Sequence, residues 1–199
     1  MTRPVVTAAE TDAALVEAAR SGDVASYGLL VERYQSNAHR TAVALGAGDD
    51  TADVVQEAFV KAYLALDRFQ VTEPFRPWLL RIVVNETRNR WRWMSRHRTV
   101  PLALVGDDPT SAVPAAEQIA EDRETSRLLR DAVVALPPHQ REAVVCRYLL
   151  DLSERDTAQV LGVPGGTVKS RLSRALAALQ AALRPTMAPA SMEGEGRRG

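Results

Sequence analysis

Apolar residues recur along this chain at the spacing of an α-helix, and this periodicity limits the possible folds more than any other feature of the sequence. Two series keep a 4-3-4-3 spacing, which places all members of a series on one buried stripe of a helix. The first series is Val55, Phe59, Ala62, Leu66 and Phe69, and the second is Leu80, Val84, Thr87, Trp91 and Met94. No segment alternates as a strand would over more than a few residues. The sequence therefore predicts an all-α protein.

The composition changes abruptly in the middle of the chain. Residues 99–125 contain three prolines and six acids, together with several alanines, and have little to bury. Such a segment is expected to be a flexible linker, so the chain should form two small helical domains with modest cores. The predicted parts are an N-terminal tail at 1–11, a first domain at 12–98, the acidic linker at 99–125, a second domain at 126–184 and a disordered tail at 185–199.

A helix-turn-helix is the sharpest local signal. Ser153 stands three residues before Asp156 and is expected to cap a helix that ends at Gly162. Pro164 is then expected to open a second helix, on which Val168, Leu172, Ala175, Leu176 and Leu179 face inward. The outward face is polar, basic and free of acids, which suits the major groove of DNA. A plain helical hairpin with a basic, solvated face is the alternative.

The net charge of zero hides a strong separation of charge. Residues 68–98 hold eight arginines and two acids, and residues 164–184 hold four basic side chains and no acid. Two basic blocks are typical of a chain that contacts a polyanion twice, although each block can also be a solvated helix face. In the first block, arginine alternates with tryptophan from Arg90 to Trp93, a pattern suited to single-stranded nucleic acid. Trp91 lies on the buried stripe, which favours a place in the core, whereas Trp93 lies off the stripe and is compatible with either role.

Other classes of function find little support. The single cysteine excludes an internal disulfide, and the three histidines have no metal-ligand spacing, so we expect neither a metal nor another cofactor. We find no nucleophile with a base and no phosphate-binding glycine loop, so an enzyme is not expected. No apolar run is long enough to cross a membrane, and the acids near the N-terminus do not fit a signal peptide. The expected location is the cytoplasm.

Several longer motifs resemble those of the extracytoplasmic-function RNA polymerase sigma factors. The segments Asp53–Tyr63, Leu66–Phe69 and Phe75–Ile82, with Asn85, resemble region two of that family. The segments Leu136–Glu142 and Gly166–Leu172 resemble region four. The resemblance covers about residues 12–184, and both regions occur in the order of the family. It implies a specificity subunit that binds core RNA polymerase, directs it to promoters and assists promoter melting.

The resemblance also implies roles for individual residues. In the family, one helix docks on the clamp coiled coil of the largest polymerase subunits, and the matching residues here are Asp53, Gln56, Glu57 and Lys61. A loop and the following helix hold a base flipped from the minus-ten element. The residues that match this site are Phe69, Gln70, Phe75 and Asn85. The basic segment adds Arg88, Asn89 and Arg92, which are expected to contact the minus-ten strand through arginine side chains and an exposed amide. Asn85 can alternatively serve only to cap or solvate its helix.

The second basic block is expected to read duplex DNA at the minus-thirty-five element. The residues that carry this expectation are Thr167, Lys169, Ser170, Arg171 and Arg174. An anti-sigma protein is a further possible partner, since family members commonly have one. The competing interpretation is a stand-alone helix-turn-helix regulator with a sensing or dimerising N-terminal domain. Such a regulator would have no need for the docking motif at Asp53–Tyr63.

Overall fold

The computed structural model of the chain describes residues 11–97 and 116–184, and these residues contain helices and no strand. This confirms the all-α prediction. Four helices form a first unit, α1 (Asp12–Arg20), α2 (Val24–Ala44), α3 (Thr51–Leu64) and α4 (Phe75–His97). Four more form a second unit, α5 (Ala116–Ala135), α6 (Pro138–Val144), α7 (Glu154–Leu161) and α8 (Gly165–Leu183). A π-helical turn at Val145–Leu149 follows α6.

Local chemistry explains where these helices begin. The side chain of Thr11 accepts a hydrogen bond from the backbone N–H of Ala14, and that of Asp23 accepts one from the backbone N–H of Ala25, so both residues cap helices.

Helix α5 begins at Ala116, inside the segment that was predicted as linker. The remainder of the predicted linker, most of the N-terminal tail and the whole C-terminal tail lie outside the described residues.

The first unit has its own core, in which α1, α2, α3 and one face of α4 meet. Leu15, Leu30, Ala58 and Leu79 are almost completely buried there. Arg20 extends from α1 and donates hydrogen bonds to the carbonyl of Leu66 at 2.9 and 3.0 Å, as well as to the carbonyl of Phe69. These bonds hold the turn after α3 against α1, so the loop that leads to α4 has a fixed start.

The opposite face of α4 packs against the second unit, which differs from the expectation of two separate cores. Leu80 and Val84 are fully buried, yet they belong to a cluster whose other members come mainly from α6, α7 and the π-helical turn. These members include Cys146, Leu150 and Val160. We call this group the shared cluster. The apolar series that begins at Leu80 and Val84 therefore does form a buried stripe on α4, as predicted. This stripe packs at the interface between the two units.

Candidate nucleic-acid interface

The helix-turn-helix forms as the sequence predicts. Ser153 caps α7, because its Oγ accepts a hydrogen bond from the backbone N–H of Asp156 at 3.0 Å. Gly162 ends that helix with φ 67° and ψ 39°, a left-handed conformation that a residue with a Cβ adopts only at a cost. Val168 on α8 is completely buried. The cap, the left-handed glycine and the buried valine together set the angle at which α8 leaves the turn.

The expected DNA-reading residues of α8 reach the surface to different degrees. Lys169 and Arg174 are exposed, whereas Thr167, Ser170 and Arg171 are half-buried. The Ser170 hydroxyl donates a hydrogen bond to the carbonyl of Thr167 at 3.0 Å. Lys169 Nζ lies 3.7 Å from Glu154 Oε1, so the acid at the start of α7 contacts the basic face. One part of the helical-wheel prediction is wrong, since Leu176 is 41% exposed and does not face inward.

The predicted docking residues lie along one side of α3. Asp53, Gln56 and Glu57 are exposed, and Lys61 is half-buried. Lys61 Nζ lies 2.6 Å from Glu86 Oε2 and 3.2 Å from Glu57 Oε1, and these carboxylates raise the pKa of the lysine above its usual value. The basic residue of the motif is therefore held in place by one acid on its own helix and one on α4.

Beside these residues is a groove between α2 and α3 that the sequence reasoning missed. Its volume is about 1100 Å³, and the side chains that line it are mainly apolar. Three of them on α3 are substantially exposed, Val60 at 47%, Tyr63 at 41% and Leu64 at 76%. The signal was available, because Gln56, Val60 and Tyr63 follow helical spacing beside the buried stripe. An exposed apolar surface of this kind is typical of a site that binds another protein.

The residues assigned to the minus-ten element do not share one environment. Phe69 and Phe75 are buried, at 4% and 1% exposed, and pack with Trp78 in a cluster of rings whose centroids lie 4.9–5.6 Å apart. Neither ring is exposed in this structure, whereas direct contact with a flipped base requires an accessible ring face. Gln70, in the turn that follows, is exposed. The two phenylalanines anchor the loop that carries it.

The polar candidates on α4 are accessible and hydrogen-bonded to one another. The amides of Asn85 and Asn89 are exposed, and the Oδ1 of each accepts a hydrogen bond at 3.3 Å from the arginine three residues later, Arg88 or Arg92. Asn89 also donates to Glu86 Oε1 at 3.4 Å. Arg88 has a stronger partner in the second unit. Its guanidinium donates one hydrogen bond to each carboxylate oxygen of Glu142.

The two tryptophans of the basic segment differ. Trp91 is half-buried, and its Nε1 donates a hydrogen bond to the carbonyl of Gly46 at 3.0 Å, which supports the core interpretation. Trp93 is 51% exposed and lies beneath the guanidinium of Arg90, 5.1 Å from the ring centroid. Of these two rings, only Trp93 offers a broad surface to a ligand.

Comparison with known proteins matches both units. The family described as Sigma-70 region 2 matches residues 30–97, and that described as Sigma-70, region 4 matches residues 126–179. An ECF RNA polymerase sigma-E factor of Haemophilus influenzae is 33% identical over 186 residues, which cover 89% of this chain and 97% of the relative. The sigma-E factor of Escherichia coli K12 is also 33% identical, over 88% and 95% of the two chains. The chain belongs to the ECF RNA polymerase sigma factors. It is thus an alternative sigma factor, which directs RNA polymerase to promoters.

Solved structures agree with this membership of the sigma factor family. CnrH, solved in complex with the cytosolic domain of CnrY, is 30% identical, with a TM-score of 0.67 over 88% of this sigma factor and 99% of that chain. The sigma factor RpoE of Bartonella quintana, solved with the anti-sigma factor NepR, is 26% identical, with a TM-score of 0.64 over 79% and 96% of the chains. Across residues 11–97 and 116–184, no helix of the sigma factor is long and apolar enough to cross a bilayer.

Proposed function

We propose that this sigma factor divides its work among three surfaces. Helix α3 and the groove beside it bind the clamp coiled coil of core polymerase, while Gln70 and the amide face of α4 engage the minus-ten strand. Helix α8 reads the minus-thirty-five duplex. The observation that carries the proposal is the geometry of the helix-turn-helix, in which Lys169 and Arg174 are exposed on a helix whose opposite face is buried. Phosphate contacts from such residues fix the register, and contacts to base edges provide specificity.

The docking part of the proposal rests on chemistry found on one side of α3. An exposed apolar strip adjoins the acidic and amide side chains of Gln56 and Glu57. Apolar area supplies affinity, and the polar rim supplies orientation and selects the partner. A regulator that dimerises through its N-terminal domain could also use an apolar strip, so the feature that favours a polymerase subunit is the docking motif Asp53–Tyr63 beside it.

Leu64 provides a direct test of the docking surface. We expect Leu64→Ser to weaken binding to core polymerase about fivefold, because about 1 kcal/mol of apolar contact is lost. The side chain is 76% exposed, so the fold should be unaffected. Affinity is measured by titrating labelled sigma factor with purified core enzyme.

Val43→Ser is the matched control for that measurement. Val43 is 49% exposed on α2 and does not line the groove. Equal affinities for the two variants would contradict the assignment of the groove. If both variants also bind core polymerase as tightly as the wild type does, the docking site lies elsewhere on the chain.

The minus-ten assignment predicts a change in discrimination. Because an asparagine amide offers both a donor and an acceptor, we expect Asn85→Ala to relax the choice of base at one position more than it weakens binding overall. Open-complex formation by the variant holoenzyme is measured on promoters varied at each minus-ten position. A uniform change at every position, or no change, would show that Asn85 only supports its helix.

The remaining parts of the proposal follow from this division of work. The chain has no catalytic role of its own, and it acts in the cytoplasm, where core polymerase meets the chromosome. We also expect an inhibitory protein that binds the sigma factor, since the similar RpoE of Bartonella quintana was solved with an anti-sigma factor. Purified candidate proteins that compete with core polymerase for this chain would identify such an inhibitor.

A further inference from the structure

Arg88, one of the residues assigned to the minus-ten strand, is bound by a carboxylate of the second unit. Its Nε lies 2.6 Å from Glu142 Oε1 and its Nη2 lies 2.7 Å from Glu142 Oε2. The two side chains are only 27% and 10% exposed, and the pair raises the pKa of the arginine. A guanidinium binds carboxylate and phosphate with the same two-point geometry. Glu142 therefore occupies the groups with which Arg88 would hold a DNA backbone.

Arg141, the neighbour of Glu142, crosses the same boundary. The residue is 7% exposed, and its guanidinium donates to the carbonyl of Leu45 in the first unit at 3.4 Å and to that of Leu136 in its own unit at 3.3 Å. It also lies over the ring of Trp91, 6.0 Å from the centroid. The bond from Arg141 to Leu45 exists only while the two units are together. Burial lowers the pKa of Arg141, and separation of the units would return its charge to water.

Two further hydrogen bonds and the shared cluster complete the boundary. Arg76 donates to the carbonyl of Leu150 at 2.5 Å, and Gln159 donates to Glu73 at 2.9 Å. The first of these bonds lies beside the shared cluster, to which Leu150 belongs. We use the name closure contact for all of these contacts together: the Arg88–Glu142 pair, the bonds of Arg141, the two bonds just given and the shared cluster.

A protein in this closed arrangement is too small to reach both promoter elements. A compact chain of this length has a radius of gyration of about 16 Å and is about 40 Å across. The two elements lie about 25 base pairs apart, or about 85 Å along the duplex at 3.4 Å per base pair. Binding both elements at once therefore requires the two units to separate, which breaks the closure contact.

We infer that the closure contact keeps the free sigma factor closed, and that the nucleic-acid backbone replaces Glu142 on Arg88 when the two units separate on a promoter. Glu142 acts as an internal substitute for a DNA phosphate. The inference rests on the proposed function, because it takes the two basic surfaces as the sites of the two promoter elements. Its consequence is that weakening the Arg88–Glu142 pair opens the free protein without removing any group that contacts DNA on the second unit.

The test uses Glu142→Gln in the full-length protein. The matched control is Asp131→Asn, which makes the same change of charge at an exposed position on α5. Small-angle scattering gives the radius of gyration, and the reaction of Cys146 with a thiol reagent gives the exposure of the shared cluster. Cys146 is the only cysteine in the chain and is fully buried, and burial raises the pKa of its thiol to about 12.

We expect the wild type and the control to be compact and unreactive. Glu142→Gln should be expanded, because the half-buried Arg88 has lost its ionic partner. Its thiol should react at least about tenfold faster, and because Glu142 itself helps to raise the pKa of that thiol, the faster reaction counts as opening only together with a larger radius of gyration. The double exchange Arg88→Glu with Glu142→Arg should restore the compact, unreactive form. If Glu142→Gln lowers the helical signal in circular dichroism, Arg88→Gln breaks the same pair from the first unit and is measured in its place.

Three results would overturn the inference. They are a wild-type protein that is already expanded, a pair-breaking variant that stays compact at any thiol reaction rate, and a double exchange that behaves like the single variants. The proposed function is judged separately, by promoter-specific transcription with core polymerase. Glu142→Gln should retain it at saturating concentration, so loss of closure and loss of function give different readings.

Discussion

Replacing Phe75 with alanine is expected to lower the free energy of unfolding by about 3–5 kcal/mol. The ring is 1% exposed and packs against Tyr34, Phe69 and Trp78, with centroids 5.4–5.6 Å away. Removing it leaves a cavity at the start of α4, where the surrounding rings cannot collapse completely. Urea unfolding followed by circular dichroism measures the change.

Trp93→Ala is the control for the Phe75 variant. Trp93 is also aromatic and on α4, but it is 51% exposed, and we expect its loss to cost about 1 kcal/mol or less. Similar losses for the two variants would contradict the structure. A small loss at Phe75 would favour the original expectation that this ring is available to a flipped base.

Replacing Arg174 with alanine is expected to cost about 1–3 kcal/mol, which weakens promoter binding by the holoenzyme about 5- to 150-fold. Arg174 is exposed on the outer face of α8, where an arginine can bond two acceptors of a guanine at once. On promoters whose minus-thirty-five element is already disrupted, the variant and the wild type should bind equally well, because Arg174 has no specific base to contact there. Competition binding on the two promoters separates these cases.

Arg184→Ala and Lys169→Ala serve as matched variants in that experiment. Arg184 is exposed at the end of α8, beyond the helix-turn-helix, and its loss should change binding little. Lys169→Ala should weaken binding to all sequences alike and reduce the salt slope by about one unit. If Arg174→Ala behaved like either of these variants, Arg174 would have no role in base recognition.

Local signals made the second unit predictable. The cap at Ser153, the left-handed glycine at 162 and the buried Val168 each depend on a few neighbouring residues, and each was found as the sequence indicated. Leu176 was misplaced because a helical wheel gives the direction of a side chain but does not say how far along a helix its partners extend.

The arrangement of α4 was only partly predictable. The adjacent pairs Leu79–Leu80 and Val83–Val84 point to a helix with two buried faces, but periodicity alone assigned one of them to the core of the first unit. The partner of the other face is separated by more than fifty residues in sequence, and no local pattern identifies it. The pairing of Arg88 with Glu142 was missed for the same reason, since charge counts report blocks and give no contacts.

The burial of Phe69 and Phe75 depended on another kind of distant contact. Their roles came from resemblance to a family, which transfers positions but not environments. The ring of Tyr34 on α2 packs against Phe75, and the carbonyl of Phe69 accepts a hydrogen bond from Arg20 on α1. Both contacts come from helices far earlier in the chain, so the sequence around the two phenylalanines could not indicate them.

The central claim is that this chain gives core polymerase its promoter specificity, and reconstituted transcription tests it most directly. Purified sigma factor is added to core enzyme on genomic fragments, and the start sites are mapped. We predict initiation at a limited set of sites that share minus-ten and minus-thirty-five sequences, with no initiation there by core enzyme alone. Initiation that the added protein does not change, together with tight binding of the protein alone to duplex DNA, would contradict the account and indicate a stand-alone regulator.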